Sequence, residues 1–260
     1  MTKIMTIVGT RPEIIKMSSV IGEIDAHFNH ILVHTGQNYD FELNEVFFND
    51  LDVRKPDYFL EVADITAAKT IGNVISKSDE IFEKENPDAL LLYGDTNSCL
   101  AVIAAKRRKI PIFHFEAGNR CFDLRVPEEI NRKIVDHTSD INFVLTEHAR
   151  RYLIMEGIRP DKIFKTGSHM YEVIQKYKEN IDQSKILEKL KIKKNKYFIV
   201  SIHREENLDN AENFKSLMNI FESIINKYKI PIIVSTHPRT KKKIEKEKIN
   251  ISKDIRFLKP

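Results

Sequence analysis

An α/β fold built on a mostly parallel sheet is what this sequence predicts, and three observations carry it. Short apolar runs alternate with longer amphipathic stretches from the first residue onward, as strands joined by crossover helices require. Unusual polar residues cluster just after the apolar runs, where open parallel sheets bind ligands. The alternation stops over residues 180–195, a polar Lys-rich stretch, and then restarts, so a second unit of the same class follows the first.

Taken in order, the expected strands of the first unit are 4–8, 30–34, 57–60, 89–93, 111–115, 141–145 and 163–166. Helical patterns fill 12–24, 66–83, 98–109, 128–138 and 147–156. Pro12 suits a first helical position, where its missing N–H is harmless. The second unit should open with a helix and connector over 180–195. It should continue as a strand at 197–202, an amphipathic helix at 211–227, a strand at 231–236, a basic helix at 239–248 and a third strand at 255–258. Two or three strands make a poor independent core. The expected domains are therefore 1–174, with a finished pattern, and 175–260, a partial domain. A chain cut at that point should bind its ligand weakly and lack activity.

Composition narrows the function classes. Hydrophobic residues at 42% and charged residues at 31% give an ordinary globular balance with material for a core. The net charge is only +4, and its late lysines, 185–196 and 241–248, read as solvated helix faces. No nucleic-acid partner is expected. Cys99 and Cys121 make neither a disulfide framework nor a metal-ligand set. The apolar start runs straight into Gly9-Thr10-Arg11-Pro12, without the long apolar stretch of a signal peptide, and no run is long enough to span a membrane. A cytoplasmic protein with no membrane insertion is expected.

The residues after each strand carry the chemistry. After the first come Gly9-Thr10-Arg11-Pro12-Glu13 and then Lys16. A helix N-terminus with two cations is either a phosphate or sugar-nucleotide anchor or an ordinary strand-turn-helix with surface Arg and Lys, and neither Gly-x-Gly-x-x-Gly nor a Walker loop is present. After the second come Thr35-Gly36-Gln37-Asn38, able to read a hydroxyl or an amide, or to be an ordinary polar loop. After the fourth comes Gly94-Asp95-Thr96, where Asp95 is either a helix cap or a functional acid. After the fifth come Glu116-Ala117-Gly118-Asn119-Arg120, then Pro127-Glu128-Glu129-Ile130-Asn131-Arg132. A carboxylate at the end of a buried strand costs energy unless used or paired. Asp95, Glu116 and Glu128 should converge near one sheet edge beside Arg11, Arg120 and Arg132. In the second unit, His203-Arg204 and His237-Pro238-Arg239 each place a His at the end of a strand.

Together these segments resemble the non-hydrolysing UDP-N-acetylglucosamine 2-epimerases. Thr146-Glu147 and His203-Arg204-Glu205-Glu206-Asn207 extend the match, in the family's order, across the chain. The resemblance implies two Rossmann-like domains around a cleft, GT-B-like, with the second incomplete here. It implies Asp95, Glu116, Glu128 and His203 as catalytic residues, and Arg11, Lys16, Gln37, Arg120, Arg132 and Arg204 as substrate-binding residues. It implies a UDP-sugar substrate, no cofactor, no metal and a homodimer. The loop from Glu116 to Glu128 and the variant Glu205-Glu206-Asn207 look more like the branch acting on UDP-2-acetamido-2,6-dideoxy-L-talose. That branch makes UDP-N-acetyl-L-fucosamine for capsule or O-antigen. Asn38 stands where a His is common in bacterial enzymes that their own substrate activates.

The chemistry suits these residue types. The C2 proton of a 2-acetamido sugar has no carbonyl beside it, so direct removal leaves an unstabilised carbanion. Elimination of UDP across C1–C2, followed by re-addition with a proton delivered to the other face, avoids that problem. It needs carboxylates on both faces and cations for the diphosphate. A UDP-N-acetylglucosamine 2-epimerase making UDP-N-acetylmannosamine is the alternative within the family. A GT-B glycosyltransferase would share the architecture with less need for clustered acids, and a non-catalytic sugar-nucleotide-binding domain would not need them.

Overall fold

The computed structural model describes residues 1–37, 47–202, 211–236 and 252–258. Asn38, His203, Arg204, His237 and the expected basic helix at 239–248 lie outside these residues. The chain divides into two compact units, Met1–Glu179 and Asn180–Pro260.

Seven parallel strands form the sheet of the first unit. They are β1 (Lys3–Val8), β2 (Asn29–His34), β3 (Tyr58–Phe59), β4 (Ala89–Tyr93), β5 (Ile112–Ala117), β6 (Ile141–Val144) and β7 (Ile163–Lys165). Their order is β3-β2-β1-β4-β5-β6-β7. The chain winds outward one way from β1 through β2 and the other way through β4, with Ile7 facing Val33 on one side and Leu92 on the other. That reversal opens a crevice at the carboxyl ends of β1 and β4.

Alternation along each strand sends side chains to two separate cores. Met5, Ile7, Leu90, Leu92 and Ile112 meet Val74 and Phe82 of α2 (Ala67–Glu85) and Val102 of α3 (Val102–Arg107). Val8, Leu32 and Leu91 meet Ile14, Met17 and Ile21 of α1 (Arg11–His27) on the other face. Thr66 caps α2 by accepting from the Lys69 N–H at 3.2 Å, and Asn86 ends it in the left-handed region at φ 45°.

Two differences from the sequence reading matter near the crevice. The helix expected from residue 98 begins as a 3-10 turn, Asn97–Ala101, before α3. The Cys99 N–H there donates to the Thr96 carbonyl, a three-residue reach, while the Cys99 thiol turns back to the Tyr93 and Gly94 carbonyls. Strand β5 also runs past residue 115 to Ala117, with a register shift against β6 between Phe115 and Ala117. Helices α4 (Pro127–Thr138), α5 (Glu147–Met155) and α6 (Met170–Lys176) also belong to this unit.

Short helices α7 (Lys178–Asp182) and α8 (Ile186–Lys189) occupy the Lys-rich stretch. Beyond them β8 (Phe198–Ile202), β9 (Ile232–Thr236) and β10 (Ile255–Leu258) form a parallel sheet in the order β10-β9-β8. Helix α9 (Ala211–Tyr228) lays Phe214, Met218, Phe221 and Ile225 on Ile232, Val234 and Ile255. Their helical spacing makes one continuous apolar stripe.

Candidate functional site

Thr10 is the N-cap of α1, so its first helical residue is Arg11 and Pro12 comes second. Two amides of this turn are already taken. Glu13, buried within the same turn, accepts from the Gly9 N–H at 2.5 Å and the Thr10 N–H at 3.0 Å. Its other oxygen accepts from the Thr96 hydroxyl at 2.5 Å, bridging the β1 and β4 turns. The protein's own carboxylate thus holds the two amides that precede Arg11. Burial pushes Glu13 up to about 7, against the pull of these hydrogen bonds. Gly9 is required by close approach, because a Cβ there would meet Ser98 Oγ at 1.9 Å and Thr35 Oγ1 at 2.2 Å.

Glu116 sits at the register shift of β5 with φ 66°, in the left-handed region that a non-glycine residue rarely adopts. Such strain persists only where the surroundings impose it. Two donors share its Oε2. Lys16 Nζ lies 2.7 Å away, and the Tyr93 hydroxyl donates to the same atom. Lys16 also lies over the Tyr93 ring, 5.1 Å from its centroid. Burial first, and then the bond to Glu116, hold the Tyr93 hydroxyl far above its ordinary value. His169 packs edge-on to Tyr93 and Phe115, at 5.3 and 5.1 Å between centroids, and burial lowers its pKa.

Asp95 does not cap the 3-10 turn; Thr96 does, by accepting from the Ser98 N–H. Instead Asp95 Oδ2 accepts from Arg132 Nε at 2.7 Å, and Asn131 Nδ2 holds its carbonyl at 2.9 Å. Burial raises the Asp95 pKa, Arg132 opposes, and the charges of Glu116 and Glu128 push upward again. Asp95 therefore lies within electrostatic reach of each of the other two acids. Glu128 itself is exposed. Its neighbour Glu129 is the buried one. Glu129 accepts from the Cys121 N–H at 3.0 Å, the Phe122 N–H at 3.2 Å and Arg132 Nη1 at 3.0 Å. Burial works against its charge, yet these donors bring it down to about 2.

The expected cations separate into two groups. Arg11 keeps its guanidinium 5.9 Å over the Phe47 ring, next to the crevice. Lys16 and Arg132 are each held on candidate acids. Arg120 is corrected outright. Its side chain is 0% exposed, and it makes two bonds to Glu156, at 2.7 and 2.6 Å, and one to Asp136 at 2.7 Å. A guanidinium so enclosed braces the turn from behind, with its described bonds directed to the protein's own carboxylates. Gln37 is half-buried after β2, beside Gly36 at φ 67°. Burial pushes His34, stacked on Phe59 at 4.9 Å, down to about 4.

Among the described residues no three His, Cys, Asp or Glu side chains are grouped to hold a metal, and no helix is long and apolar enough to cross a membrane. Sequence reasoning assigned no role to Glu13, Tyr93, Glu129, His114 or Asp136. Glu13 had a legible signal, since Thr10-Arg11-Pro12-Glu13 has capping-box spacing.

Comparison with known proteins follows this geometry. Residues 22–260 match the family model described as UDP-N-acetylglucosamine 2-epimerase. A solved UDP-N-acetylglucosamine 2-epimerase from Rickettsia bellii is 60% identical, with TM-score 0.90 over 99% of this chain and 68% of that one. The Methanocaldococcus jannaschii UDP-GlcNAc 2-epimerase, solved with UDP-GlcNAc and UDP, is 33% identical, with TM-score 0.89 over 100% of this chain and 74% of that one. A Pseudomonas aeruginosa UDP-2,3-diacetamido-2,3-dideoxy-D-glucuronate 2-epimerase is 36% identical over 94% of this chain and 69% of its own length. The α/β, GT-B-like fold extends further, to Acinetobacter baumannii MurG at 11% identity, TM-score 0.50, over 99% of this chain and 68% of that one.

Proposed function

The chain belongs to the UDP-N-acetylglucosamine 2-epimerase family, and from that premise we propose that it inverts C2 of a UDP-linked 2-acetamido sugar by eliminating and re-adding UDP. The observation that carries the reading is Glu116. It is a strained carboxylate with both of its described donors on Oε2, which leaves Oε1 to meet a proton. Asp95 lies within electrostatic range of both Glu116 and Glu128. One carboxylate removes the C2 proton as the C1–O bond to UDP breaks, giving a glycal. Another delivers a proton to the opposite face as UDP re-adds at C1. Arg11 attends the diphosphate, with Gln37 toward the sugar; His203, as a catalytic residue, and Arg204, as a substrate-binding residue, belong to the reading from the sequence and lie outside the described residues. The protein works as a cytoplasmic homodimer.

For the sugar we propose UDP-2-acetamido-2,6-dideoxy-L-talose, giving UDP-N-acetyl-L-fucosamine for capsule or O-antigen. The loop between Glu116 and Glu128 supports this. It presents Phe122 and Leu124 at 69% and 66% exposure, apolar surface suited to a 6-methyl group. UDP-N-acetylglucosamine is the second reading, favoured by the 60% identity to the Rickettsia bellii structure. Incubating the protein separately with each sugar in heavy water, and following C2 by NMR, tests both levels. Inversion with deuterium placed at C2 is expected, faster with the deoxy-talose substrate. Retention of the original hydrogen overturns the elimination. Turnover of UDP-N-acetylglucosamine alone moves the chain to the second reading. Asp95→Asn and Glu116→Gln should each lower kcat by about a hundredfold or more.

A further inference from the structure

We propose that His114 is a positioning residue, an imidazolium protonated on both ring nitrogens that locks the Asp95 turn to the Glu116 turn through Asp136. The inference rests on the reading of Asp95 and Glu116 as the acid–base pair, and it extends that reading to a buried residue behind them.

Both ring nitrogens of His114 face oxygen atoms at close range. His114 lies on β5 with its side chain 1% exposed. Its Nε2 is 2.7 Å from the Gly94 carbonyl oxygen, and its Nδ1 lies 2.9 Å from Asp136 Oδ1, an ion-pair contact without hydrogen-bond alignment in which neither atom has another hydrogen-bond partner. A backbone carbonyl only accepts, and an ionised carboxylate only accepts. A neutral imidazole has a single N–H, so one nitrogen lone pair would face an acceptor in a site without room to turn away. The other oxygen of Asp136 takes the Gly118 N–H at 3.1 Å and Arg120 Nη1 at 2.7 Å, so Arg120 and His114 meet the same carboxylate from two sides.

The connections reach both turns. Gly94, whose carbonyl His114 holds, precedes Asp95. Gly118, whose N–H Asp136 holds, follows Glu116 by two residues and is itself at φ 77°. The charged groups facing the imidazole come from each packed element. Asp136 is on α4, Arg120 is in the turn after β5, and Glu156 at the end of α5 pairs with Arg120 and with His137 of α4. The side chain of Asn142 on β6 also faces it. Two buried cations, His114 and Arg120, thus meet two anions, Asp136 and Glu156. Burial alone would lower the His114 pKa, but Asp136 outweighs it and the net shift is upward.

The test reads the proton directly. In the full protein labelled with 15N-histidine at pH 7.5, both His114 ring nitrogens should show bonded protons by NMR. A singly protonated ring, or one titrating with an ordinary midpoint near about 6.5, would overturn the proposal. His114→Gln keeps one donor and should lower kcat by roughly ten- to a hundredfold, the cost of a misplaced reacting group, with KM for the UDP-sugar little changed. A raised folded-state value means that the stabilisation is full below about 6.5 and is lost as pH rises through the raised value. The wild type should therefore lose stability and kcat on that alkaline limb, and His114→Gln should lack it. Wild-type kcat and pH profile in His114→Gln would sink the positioning role. If that variant does not fold, the wild-type NMR result decides. Full activity in Asp95→Asn and Glu116→Gln, with a doubly protonated His114, would instead locate the failure in the acid–base reading.

Discussion

Glu13 and Glu129 stand in the turns on either side of the candidate site, each buried, each gripping two backbone amides, and they reach opposite electrostatic states. Glu13 receives only neutral donors, two amides and the Thr96 hydroxyl, and rises to about 7. Glu129 receives two amides and the Arg132 guanidinium, and falls to about 2. Amides alone do not compensate a carboxylate for leaving water; a cation does. The β1 turn is therefore held by a group that titrates near neutrality. The turn after β5 is held by a fixed anion.

The largest effect should come from removing the fixed anion. Glu129→Gln leaves Arg132 with Asp95 as its remaining carboxylate and weakens the hold on the Cys121 and Phe122 amides. A loss of about 3–5 kcal/mol is expected, the range for breaking a buried pair, seen as a lower denaturation midpoint at every pH above about 5. An unchanged midpoint would mean that the cation is not what separates the two turns. Next comes the titrating turn. A folded value above the unfolded one makes Glu13's contribution full below about 4.5 and progressively lost as pH rises to about 7. That loss is worth about 3 kcal/mol, since each tenfold change in proton affinity carries about 1.4 kcal/mol. Glu13→Gln should flatten the slope of stability between those two values, as read by urea melts across pH. The same slope in both proteins would refute the assignment. The smallest effect is steric. Gly9→Ala must displace Ser98 or Thr35, and overpacking of this kind costs about 1–3 kcal/mol. If its melting temperature equals the wild type's, the turn is looser than its contacts imply.

Much of this was legible in the sequence because parallel sheets must separate their strands with helices, and that separation is written as alternating runs. Strand ends drifted by a residue or two, except where a local exception mattered. At β5 the strand continues through the register shift that strains Glu116, and no propensity announces a left-handed glutamate. The pair Glu128-Glu129 looks symmetric in sequence. The phase of α4 distinguishes them, turning Glu129, Asn131 and Asp136 inward while Ile130 remains 49% exposed. An apolar-face rule predicts the reverse for Ile130. The rule fails because the first turns of this face meet polar turns, and only further along does Val135 join the hydrocarbon core. The resemblance implies Arg120 as a substrate-binding residue, whereas in the structure two carboxylates from distant helices enclose it, a pairing that no local sequence signal announces. Tyr93 passed as the last apolar residue of a strand, although its hydroxyl ends on Glu116.

The placement of β1 between β2 and β4 also has a consequence for synthesis. The Lys3 amide donates to the Asp88 carboxylate, 85 residues away, and β1 cannot gain its second neighbour until β4 exists. Its pairing with β2 can form early from a short helical crossover. The crevice between β1 and β4 closes a much longer loop, a slower event for a chain with distant contacts. A ribosome must therefore have released the chain beyond residue 93 before this crevice has two walls. Until then the residues beside this edge, including Gly9 and Arg11, wait on an open sheet edge, the stretch a nascent-chain chaperone would have most reason to cover.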